Sequence, residues 1–384
     1  MANDKDFKIK NGLQVGGAFV EKVGTVTGNA SLDLSTGNVF DYTPTANATF
    51  TFSNVGASEH SFVLSVTGDE VAVGYDLTNA SYDSVSFSVA AQESQPNSIS
   101  FKTDGTKMYI VGYAGDDVNE YDLSTAWDIS TASYLQNFSV GTQEGFPYGL
   151  FFKPDGTKMY ITGEAGNDVN EYNLSTAWDV STASYVQNFS VSAQITGTTG
   201  VFFKPDGSVM YVIGFGNLDT VNQYSLSTAW DISTASYVQN FNVGTQENTP
   251  HGLFFKPDGL SMYVTGLSGD DINEYNLSAA WDISTATFLQ NFSVAAQDTS
   301  PTEAFFKTDG SKMYVLGAAT DKVYQYSTVA ATTSPATLTF PASVKWPSGT
   351  APAAPADGKT DILELSTMNG GTTWYGVKVG GAMA

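Results

Sequence analysis

One internal repeat constrains the fold of this chain more than any other feature. Asp-Gly pairs recur five times, at steps of 51, 51, 52 and 51 residues. They begin at Asp104, Asp155, Asp206, Asp258 and Asp309. Four tryptophans follow in the same phase, at Trp127, Trp178, Trp230 and Trp281. Because chance does not hold two landmarks in one phase over several copies, the sequence predicts successive copies of one structural unit.

Each copy contains four short segments typical of β-strands. In the second copy they read GLFF, TKMYITG, DVNEYNLS and ASYVQNFSV, within residues 149–191. All four are rich in β-branched and aromatic residues, and a Pro-Asp-Gly turn joins the first two. Four antiparallel strands in a repeat of about 51 residues are typical of a β-propeller blade.

The two ends of the array complement each other. After the fifth Asp-Gly pair the repeat stops at DKVYQYS (321–327), before its fourth strand. The segment ASYDSVSFSV (80–89) resembles that missing strand and precedes the first full copy. We therefore predict an all-β fold with a five-bladed β-propeller over residues 73–329. The N-terminal strand would close the last blade and remove the open edges of the array.

The segments on either side of the repeat are also predicted to form strands. Apolar and polar residues alternate over short stretches within 29–72 and 330–384. Because a closed ring brings its two ends together, these segments are expected to form one split β-sandwich-like domain that carries the propeller. Residues 1–28 are interpreted as an extended N-terminal anchoring segment.

The charge balance excludes several classes of partner. There are 39 acidic residues and 16 basic ones, all of them lysine, for a net charge of −23. A chain this acidic and without arginine is not expected to bind nucleic acid or anionic lipid. No apolar run of about 18 residues occurs, and the first residues lack the apolar core of a signal peptide, so we expect no membrane insertion. The absence of cysteine leaves the redox compartment open.

The four repeated tryptophans have two possible roles. Residues required in every blade are usually packing residues, so each tryptophan is predicted to wedge against a neighbouring blade. The alternative is an exposed aromatic platform for a sugar ring.

The connections of a blade divide between two rims, because neighbouring strands alternate in direction. The Asp-Gly rim holds the Asp-Gly turns and the tryptophan-containing loops, and its sequence is nearly the same in every copy. The variable rim holds the connection after the second strand and the connection between blades, and its sequence differs from copy to copy. Aspartates are expected to neutralise the eight lysines near the Asp-Gly turns, which are Lys102, Lys107, Lys153, Lys158, Lys204, Lys256, Lys307 and Lys312.

The variable rim is the predicted location of any binding specificity, because packing does not dictate its residues. Candidates for apolar or stacking contact are Tyr113, Phe146, Tyr148, Phe215 and His251. Candidates for hydrogen bonds to ligand hydroxyls are Gln143, Glu144, Gln246 and Asn248. The alternative is that these are ordinary solvated loops.

Acidic pairs on the same rim suggest calcium as a possible ligand. The residues concerned are Asp116, Asp117, Asp168, Asp270 and Asp271. Calcium takes six to eight oxygen ligands, so two adjacent carboxylates are too few by themselves. The alternative is that these residues only stabilise turns.

No catalytic constellation is evident. The two histidines, His60 and His251, lie in different predicted domains, and there is no cysteine nucleophile. A glycosidase would need two converging carboxylates, but the acidic residues recur in phase with the repeat and no single pair stands out. We therefore predict that the chain is not an enzyme.

The flanking segments resemble a known group of proteins. The motifs LDLSTGNVF (32–40), TFTFSN (49–54), SVKWPSGTAP (343–352) and NGGTTWYG (369–376) look like the C-terminal domain of tail-fibre and other virion fibre proteins of marine bacteriophages. The opening MANDKDFKIKNGLQVGG is similar to the N-terminus of the same group. The propeller resembles five-bladed lectin-type propellers in blade number and repeat length only.

The resemblance implies a surface-exposed protein of the virion, on the tail or the capsid. Its expected partners are other virion proteins and a host cell-surface glycan or protein, and a homotrimer is expected. Host adhesion through the propeller is the leading interpretation. The alternatives are a head-fibre or decoration protein with a purely structural role, and a glycan-cleaving tail enzyme.

Overall fold

The computed structural model describes residues 26–27, 30–43, 48–55, 60–67, 70–71, 74–216, 218–328, 334–335, 337–355 and 359–383. Apart from residues 26–27, the predicted anchoring segment 1–28 lies outside the described residues. The chain divides into two compact units, residues 73–331 and residues 1–72 with 332–384.

The larger unit is a five-bladed β-propeller, which confirms the predicted fold. The first blade contains Pro96–Phe101, Lys107–Gly112, Asp117–Leu123 and Ala132–Ser139. The second contains Pro147–Phe152, Lys158–Gly163, Asp168–Leu174 and Ala183–Ser190. The third contains Thr198–Phe203, Val209–Gly214, Thr220–Leu226 and Ala235–Asn242. The fourth contains Pro250–Phe255, Ser261–Gly266, Asp271–Leu277 and Ala286–Ser293. Neighbouring strands within each blade are antiparallel.

The fifth blade combines both ends of the array, as the sequence predicted. It contains Pro301–Phe306, Lys312–Gly317, Lys322–Ser327 and, as its outermost strand, Ser81–Ser88. The last two strands pair antiparallel, with Val323 opposite Phe87. This pairing closes the ring without leaving the Lys322–Ser327 strand as an edge.

Hydrophobic clusters fill the interfaces between blades. At the interface of the first and second blades, Tyr109 and Val111 pack with Phe152, Met159 and Trp178. Corresponding clusters lie at the second–third, third–fourth, fourth–fifth and fifth–first interfaces. Because the faces of the inner part of every blade are covered in this way, the second and third strands carry near-continuous runs of buried residues, whereas the outermost strands are largely half-buried or exposed.

A one-turn 3₁₀ helix precedes the outermost strand of each blade. The five helices are Leu77–Asn79, Ile129–Thr131, Val180–Thr182, Ile232–Thr234 and Ile283–Thr285. An aspartate caps each one. In the second blade the Asp179 side chain accepts a hydrogen bond from the Ser181 backbone N–H and a second one, of 2.8 Å, from Gln136 of the first blade. The cap therefore also links adjacent blades.

The repeated tryptophans lie between a turn and the neighbouring blade. The Trp178 indole covers Gly156, where a Cβ atom would lie 2.3 Å from the ring, so that turn position requires glycine. The Tyr109 hydroxyl of the first blade donates a hydrogen bond of 2.6 Å to the Trp178 carbonyl. In the fifth blade Tyr75 takes the place of the tryptophan, against Gly310. The equivalent tryptophans, which have the same positive φ, are Trp127, Trp230 and Trp281.

The smaller unit contains strands from the two chain segments that precede and follow the propeller in sequence. Its five-stranded sheet has the order Val39–Tyr42, His60–Thr67, Thr360–Thr367, Trp374–Met383 and Val344–Lys345. A three-stranded sheet contains Val26–Thr27, Ser31–Asp33 and Thr51–Ser53. The short strands Ala48–Thr49 and Glu70–Val71 pair with Leu338–Thr339 and Ser334–Pro335. One core that includes Leu32, Phe40, Leu64, Leu363 and Trp374 joins the two sheets.

Candidate functional site

Five side chains predicted from the variable rim form one continuous cluster of rings. The ring centroids of Phe146 and Tyr113 lie 6.0 Å apart, as do those of Tyr113 and Tyr148. Tyr148 contacts His251 at 5.4 Å, and His251 stacks on Phe215 at 5.9 Å. We refer to these five residues as the aromatic cluster. They come from the second, third and fourth blades and from the turn of the first.

The aromatic cluster spans the ring axis. Tyr148 and His251 occupy the same position in the innermost strands of the second and fourth blades. These blades are not neighbours, so a contact between their side chains has to cross the central channel. At the equivalent positions Asn97 and Thr199 instead donate hydrogen bonds to a proline carbonyl of the next blade.

The outer part of the aromatic cluster is accessible. The Phe146 side chain is 52% exposed, whereas Tyr113 and Tyr148 are half-buried. These three residues line a cavity of about 410 Å³ together with Glu164 and Ala165. Glu164 was missed in the sequence, although its turn differs from the equivalent turns of the other copies. The cavity therefore combines aromatic surface with an exposed carboxylate.

Burial sets the charge of the ring groups. His251 is 6% exposed, and burial lowers its pKa to about 4, so the imidazole is neutral at neutral pH. Burial and the nearby Glu164 carboxylate raise the pKa of Tyr148. The Tyr113 hydroxyl donates a hydrogen bond of 2.7 Å to Gln95. The aromatic cluster is thus an uncharged surface with polar tips.

The structure corrects the expectation that Glu144 contacts a ligand. Its side chain is fully buried. Its carboxylate accepts hydrogen bonds from the backbone N–H groups of Phe146, Ala165 and Gly166, at 2.9, 3.0 and 3.1 Å. Glu144 therefore connects the loop between the first and second blades to the turn that contains Ala165 and Gly166. Through the Phe146 N–H it also holds one residue of the aromatic cluster in place.

The same fastening recurs in three other blades, through Glu93, Glu247 and Asp298. The third blade has Ile195 at this position and one additional residue in the facing turn, between Gly214 and Thr220. In this blade the carboxylate is absent and the facing turn is longer.

Replacing Glu144 with alanine is expected to lower the free energy of unfolding by about 2 to 4 kcal/mol, since several buried N–H groups lose their acceptor. Urea denaturation measures the change. The matched control is Glu164→Ala, on the turn that Glu144 contacts, where the exposed side chain predicts a change within about 0.5 kcal/mol. Equal effects of the two substitutions would contradict the fastening role.

Gln246 is half-buried and takes part in a contact that recurs between blades, so its role in ligand binding stays a prediction. Its side-chain oxygen faces the Tyr275 hydroxyl at 3.5 Å, and Gln143 accepts from Tyr172 at 3.3 Å. Asn248 is exposed, and its side-chain oxygen accepts from the Thr249 hydroxyl at 3.1 Å. Of the predicted hydrogen-bonding residues, Asn248 is exposed, Gln143 and Gln246 are half-buried, and Glu144 is buried.

Asparagine side chains donate hydrogen bonds to three of the aspartates considered as calcium ligands. Asp117 accepts hydrogen bonds from Asn119 and Asn137, and the equivalent carboxylates Asp168 and Asp271 accept from two asparagines each. Burial raises the pKa of Asp117. Within the described ranges, no group of three or more His, Cys, Asp or Glu is placed to hold a metal ion. Asp116 and Asp270 lie in the adjoining turns with positive φ, and calcium binding there stays a prediction.

The lysines of the Asp-Gly rim are paired with carboxylates, and every one except Lys158 has an aspartate partner, as expected. Lys153 lies 2.7 Å from Asp155, and Lys107 lies 2.5 Å from Glu120. The remaining flanking lysines form equivalent pairs, namely Lys102–Asp104, Lys158–Glu171, Lys204–Asp206, Lys256–Asp258, Lys307–Asp309 and Lys312–Asp83.

Glu303 is a buried carboxyl that the sequence interpretation missed. It occupies the position held by Gly149, Gly200 and Gly252 in three other innermost strands, so it is out of phase with the repeated acidic residues. It is 9% exposed and accepts a hydrogen bond of 3.3 Å from the Ser98 hydroxyl. The replacement of a repeated glycine by a single acidic residue was the available signal.

Comparisons with known proteins do not assign a function. No protein-family model and no curated protein matches the chain. A periplasmic gluconolactonase from Pseudomonas aeruginosa is 17% identical, with a TM-score of 0.35, over 52% of this chain and 54% of that chain. A Bacteroides fragilis protein proposed to be a 6-phosphogluconolactonase is 18% identical, with a TM-score of 0.37, over 54% and 56%. A functionally unknown protein from Desulfotomaculum acetoxidans is 13% identical, with a TM-score of 0.37, over 75% and 86%.

The chain spans about half the length of the first two of these solved structures. Their names are those of enzymes, so the comparisons lend no support to the prediction that this chain is not an enzyme. At such identities and TM-scores, however, the likeness carries no conclusion about activity. Among the helices of the described residues, none has the length and apolar character needed to cross a membrane.

Proposed function

We propose that the chain is a non-enzymatic phage virion fibre protein that binds a neutral glycan of the host surface through the aromatic cluster. The observation that carries this proposal is the convergence of Tyr113, Phe146 and Tyr148 around one accessible cavity. The apolar face of a sugar ring packs on aromatic rings, while polar side chains at the edge of the cavity meet its hydroxyls. The virion assignment rests on the resemblance of the flanking segments.

The charge of the chain favours a neutral ligand. With a net charge of −23, the chain repels anionic polymers. The aromatic cluster itself is uncharged, since His251 is neutral at neutral pH. A homotrimer, which the same resemblance implies, would present three such surfaces and strengthen weak individual contacts by avidity.

The axial region supports binding over hydrolysis. A glycosidase of the usual kind uses two carboxyl groups that face each other across the substrate. Among the residues that line a second cavity, which lies on the ring axis at the Asp-Gly rim, Glu303 is the one acidic side chain. This count supports a binding role for the propeller.

Phe146→Ala and Tyr113→Ala are each expected to weaken glycan binding by roughly 5- to 30-fold, because each substitution removes a ring from the contact surface. The melting temperature should stay nearly unchanged, since Phe146 is 52% exposed. Binding of the purified chain to an array of neutral glycans provides the measurement.

The matched control is Leu260→Ala, which removes a 43% exposed apolar side chain from the opposite rim and should leave binding unchanged. If Phe146→Ala and Tyr113→Ala bind as the parent chain does, the variable rim is not the contact surface. If the parent chain binds no glycan on the array, the structural alternative of a head-fibre or decoration protein is favoured.

A further inference from the structure

A second cavity lies on the ring axis and opens at the Asp-Gly rim, opposite the aromatic cluster. Its volume is about 200 Å³, and its lining includes residues of the innermost strands of all five blades. The exposed turn residues Thr103, Pro154, Pro205, Pro257 and Thr308 surround its mouth. We refer to it as the axial cavity. Drug-sized ligands and oligosaccharides occupy pockets of about 300 to 1,000 Å³, so the axial cavity is suited to a smaller group.

Four phenylalanines form a collar in the axial cavity. Phe151, Phe202, Phe254 and Phe305 occupy one position of the innermost strands in the second to fifth blades. Neighbouring rings pack edge to face, with centroid separations of 5.3, 5.5 and 5.6 Å. The first blade has Ser100 at this position, so the collar is open on one side.

Glu303 places one carboxyl group in the lining of the axial cavity. Two strand positions below the collar, glycine in three blades leaves space at the axis, and a Cβ atom on Gly252 would lie 2.6 Å from the Glu303 carboxyl. The Ser98 hydroxyl donates to Glu303 and accepts a hydrogen bond of 3.2 Å from the Leu150 N–H. The carboxyl is therefore held in a fixed place by groups of neighbouring blades.

The rest of the axial cavity offers few hydrogen-bond acceptors. Next to the collar lie the apolar side chains of Ile99, Leu150, Val201 and Leu253, all 5% exposed or less. The lysines near the mouth are paired with aspartates, so they leave no uncompensated positive charge there. Once it is ionised, a single carboxylate surrounded by aromatic and aliphatic side chains is complementary to an organic cation.

We propose that the axial cavity binds a trimethylammonium group, as found in choline. The phenylalanine rings that line the cavity would attract a cation by cation–π interaction, and the Glu303 carboxylate, when ionised, would neutralise its charge. A primary ammonium group has three N–H donors and would find too few acceptors in this lining, whereas a trimethylammonium group has none to satisfy. The acidic surface of the chain would concentrate such a cation near the mouth.

The test is isothermal titration calorimetry of the full chain with choline chloride, at about pH 9, where Glu303 is ionised. Its uncharged isostere, with carbon in place of nitrogen, serves as the ligand control. We expect saturable choline binding that is at least tenfold tighter than binding of the isostere. Glu303→Gln keeps the shape of the side chain and should strongly reduce this preference, because only the collar then distinguishes the cation from the isostere, while Phe254→Leu should weaken choline binding and reduce the preference less.

Two further controls keep the test decisive. Phe146→Ala changes only the opposite rim and should bind choline as the parent chain does, so failure of the glycan proposal and failure of this proposal are distinguishable. Vesicles of phosphatidylcholine present the same group on a lipid, and binding to vesicles or to free choline identifies the source. Absence of binding to both, or equal binding by the parent chain and a folded Glu303→Gln variant, would overturn the proposal.

Discussion

Trp178→Ala is expected to lower the free energy of unfolding of the propeller by about 3 to 5 kcal/mol. Trp178 is 7% exposed and packs against Phe152 of its own blade and Tyr109 of the neighbouring blade, at 5.4 and 6.3 Å. Its removal leaves a cavity between the two blades and uncovers Gly156. The surrounding strands pair on both sides and can relax only partly, which places the cost in the upper part of the range for core substitutions.

The chain contains a natural control for this substitution. In the fifth blade Tyr75 performs the same role, with a φ of 66°, the same value as at Trp178. The Tyr75 carbonyl likewise accepts a hydrogen bond, of 3.1 Å, from Tyr263 of the preceding blade. Trp178→Tyr should therefore lose less than about 2 kcal/mol. Urea denaturation followed by tryptophan fluorescence and circular dichroism measures both variants, and a loss below about 1 kcal/mol for Trp178→Ala would show that the indole is not a packing element.

The propeller could be predicted from the repeat because several independent features of the sequence indicated the same fold. The Asp-Gly turns, the alternation of strands and the matching ends all required the same closed ring, and Ser81–Ser88 pairs with Lys322–Ser327 as expected. The same packing pattern occurs in all five blades, so each copy of the repeat independently supports the prediction. The smaller unit lacks such repetition, and its parallel pair of Val39–Tyr42 with His60–Thr67 could not be predicted from short alternating segments.

The candidate site was predictable in its rings but not in its polar groups. Divergence between copies indicated Tyr113, Phe146, Tyr148 and His251, and topology then brought them together. Divergence did not distinguish a residue that faces solvent from one that turns inward to bind backbone N–H groups, which is why Glu144 was misassigned. Such a distinction depends on the path of the loop backbone, which the side-chain pattern does not encode.

Glu303 was missed for a different reason. Comparison of copies identified residues that vary on a rim, but Glu303 varies inside the ring, where three other copies have glycine. Glycine at this position allows the innermost strands to approach one another closely. A residue that replaces it in one copy must place its side chain in the central channel, so such a replacement indicates a side chain at the axis. An acidic side chain at such a position must either remain protonated or find a partner.

The stability of the folded chain is expected to depend strongly on pH because of Glu303. Burial raises its pKa from 4.5 to about 8. Between these two values the folded chain holds a proton that the unfolded chain has released, so the stabilising contribution is complete below pH 4.5 and is lost as the pH rises towards 8. The loss amounts to roughly 4 to 5 kcal/mol across this window.

Glu303→Gln should remove this contribution, because an amide does not ionise. The variant is expected to resemble the parent chain near pH 5 and to exceed its stability by several kcal/mol near pH 8, roughly the size of the lost contribution. Other carboxyl groups with raised pKa, such as Glu93 and Glu274, contribute the same slope to both chains and cancel in the difference. Asp155, which is paired with Lys153, has a pKa lowered to about 2, so its contribution to stability is lost only as the pH falls towards that value.

Urea denaturation of both chains at several pH values from about 5 to 9 measures the difference in slope. Glu164→Gln, an exposed carboxyl on the variable rim, is the matched control and should follow the parent chain throughout. Parallel slopes for the parent chain and Glu303→Gln would mean that the Glu303 carboxyl is hydrated and ionised in the folded state. In that case the axial cavity would be open to water down to Glu303, and the apolar environment that favours an organic cation there would be absent.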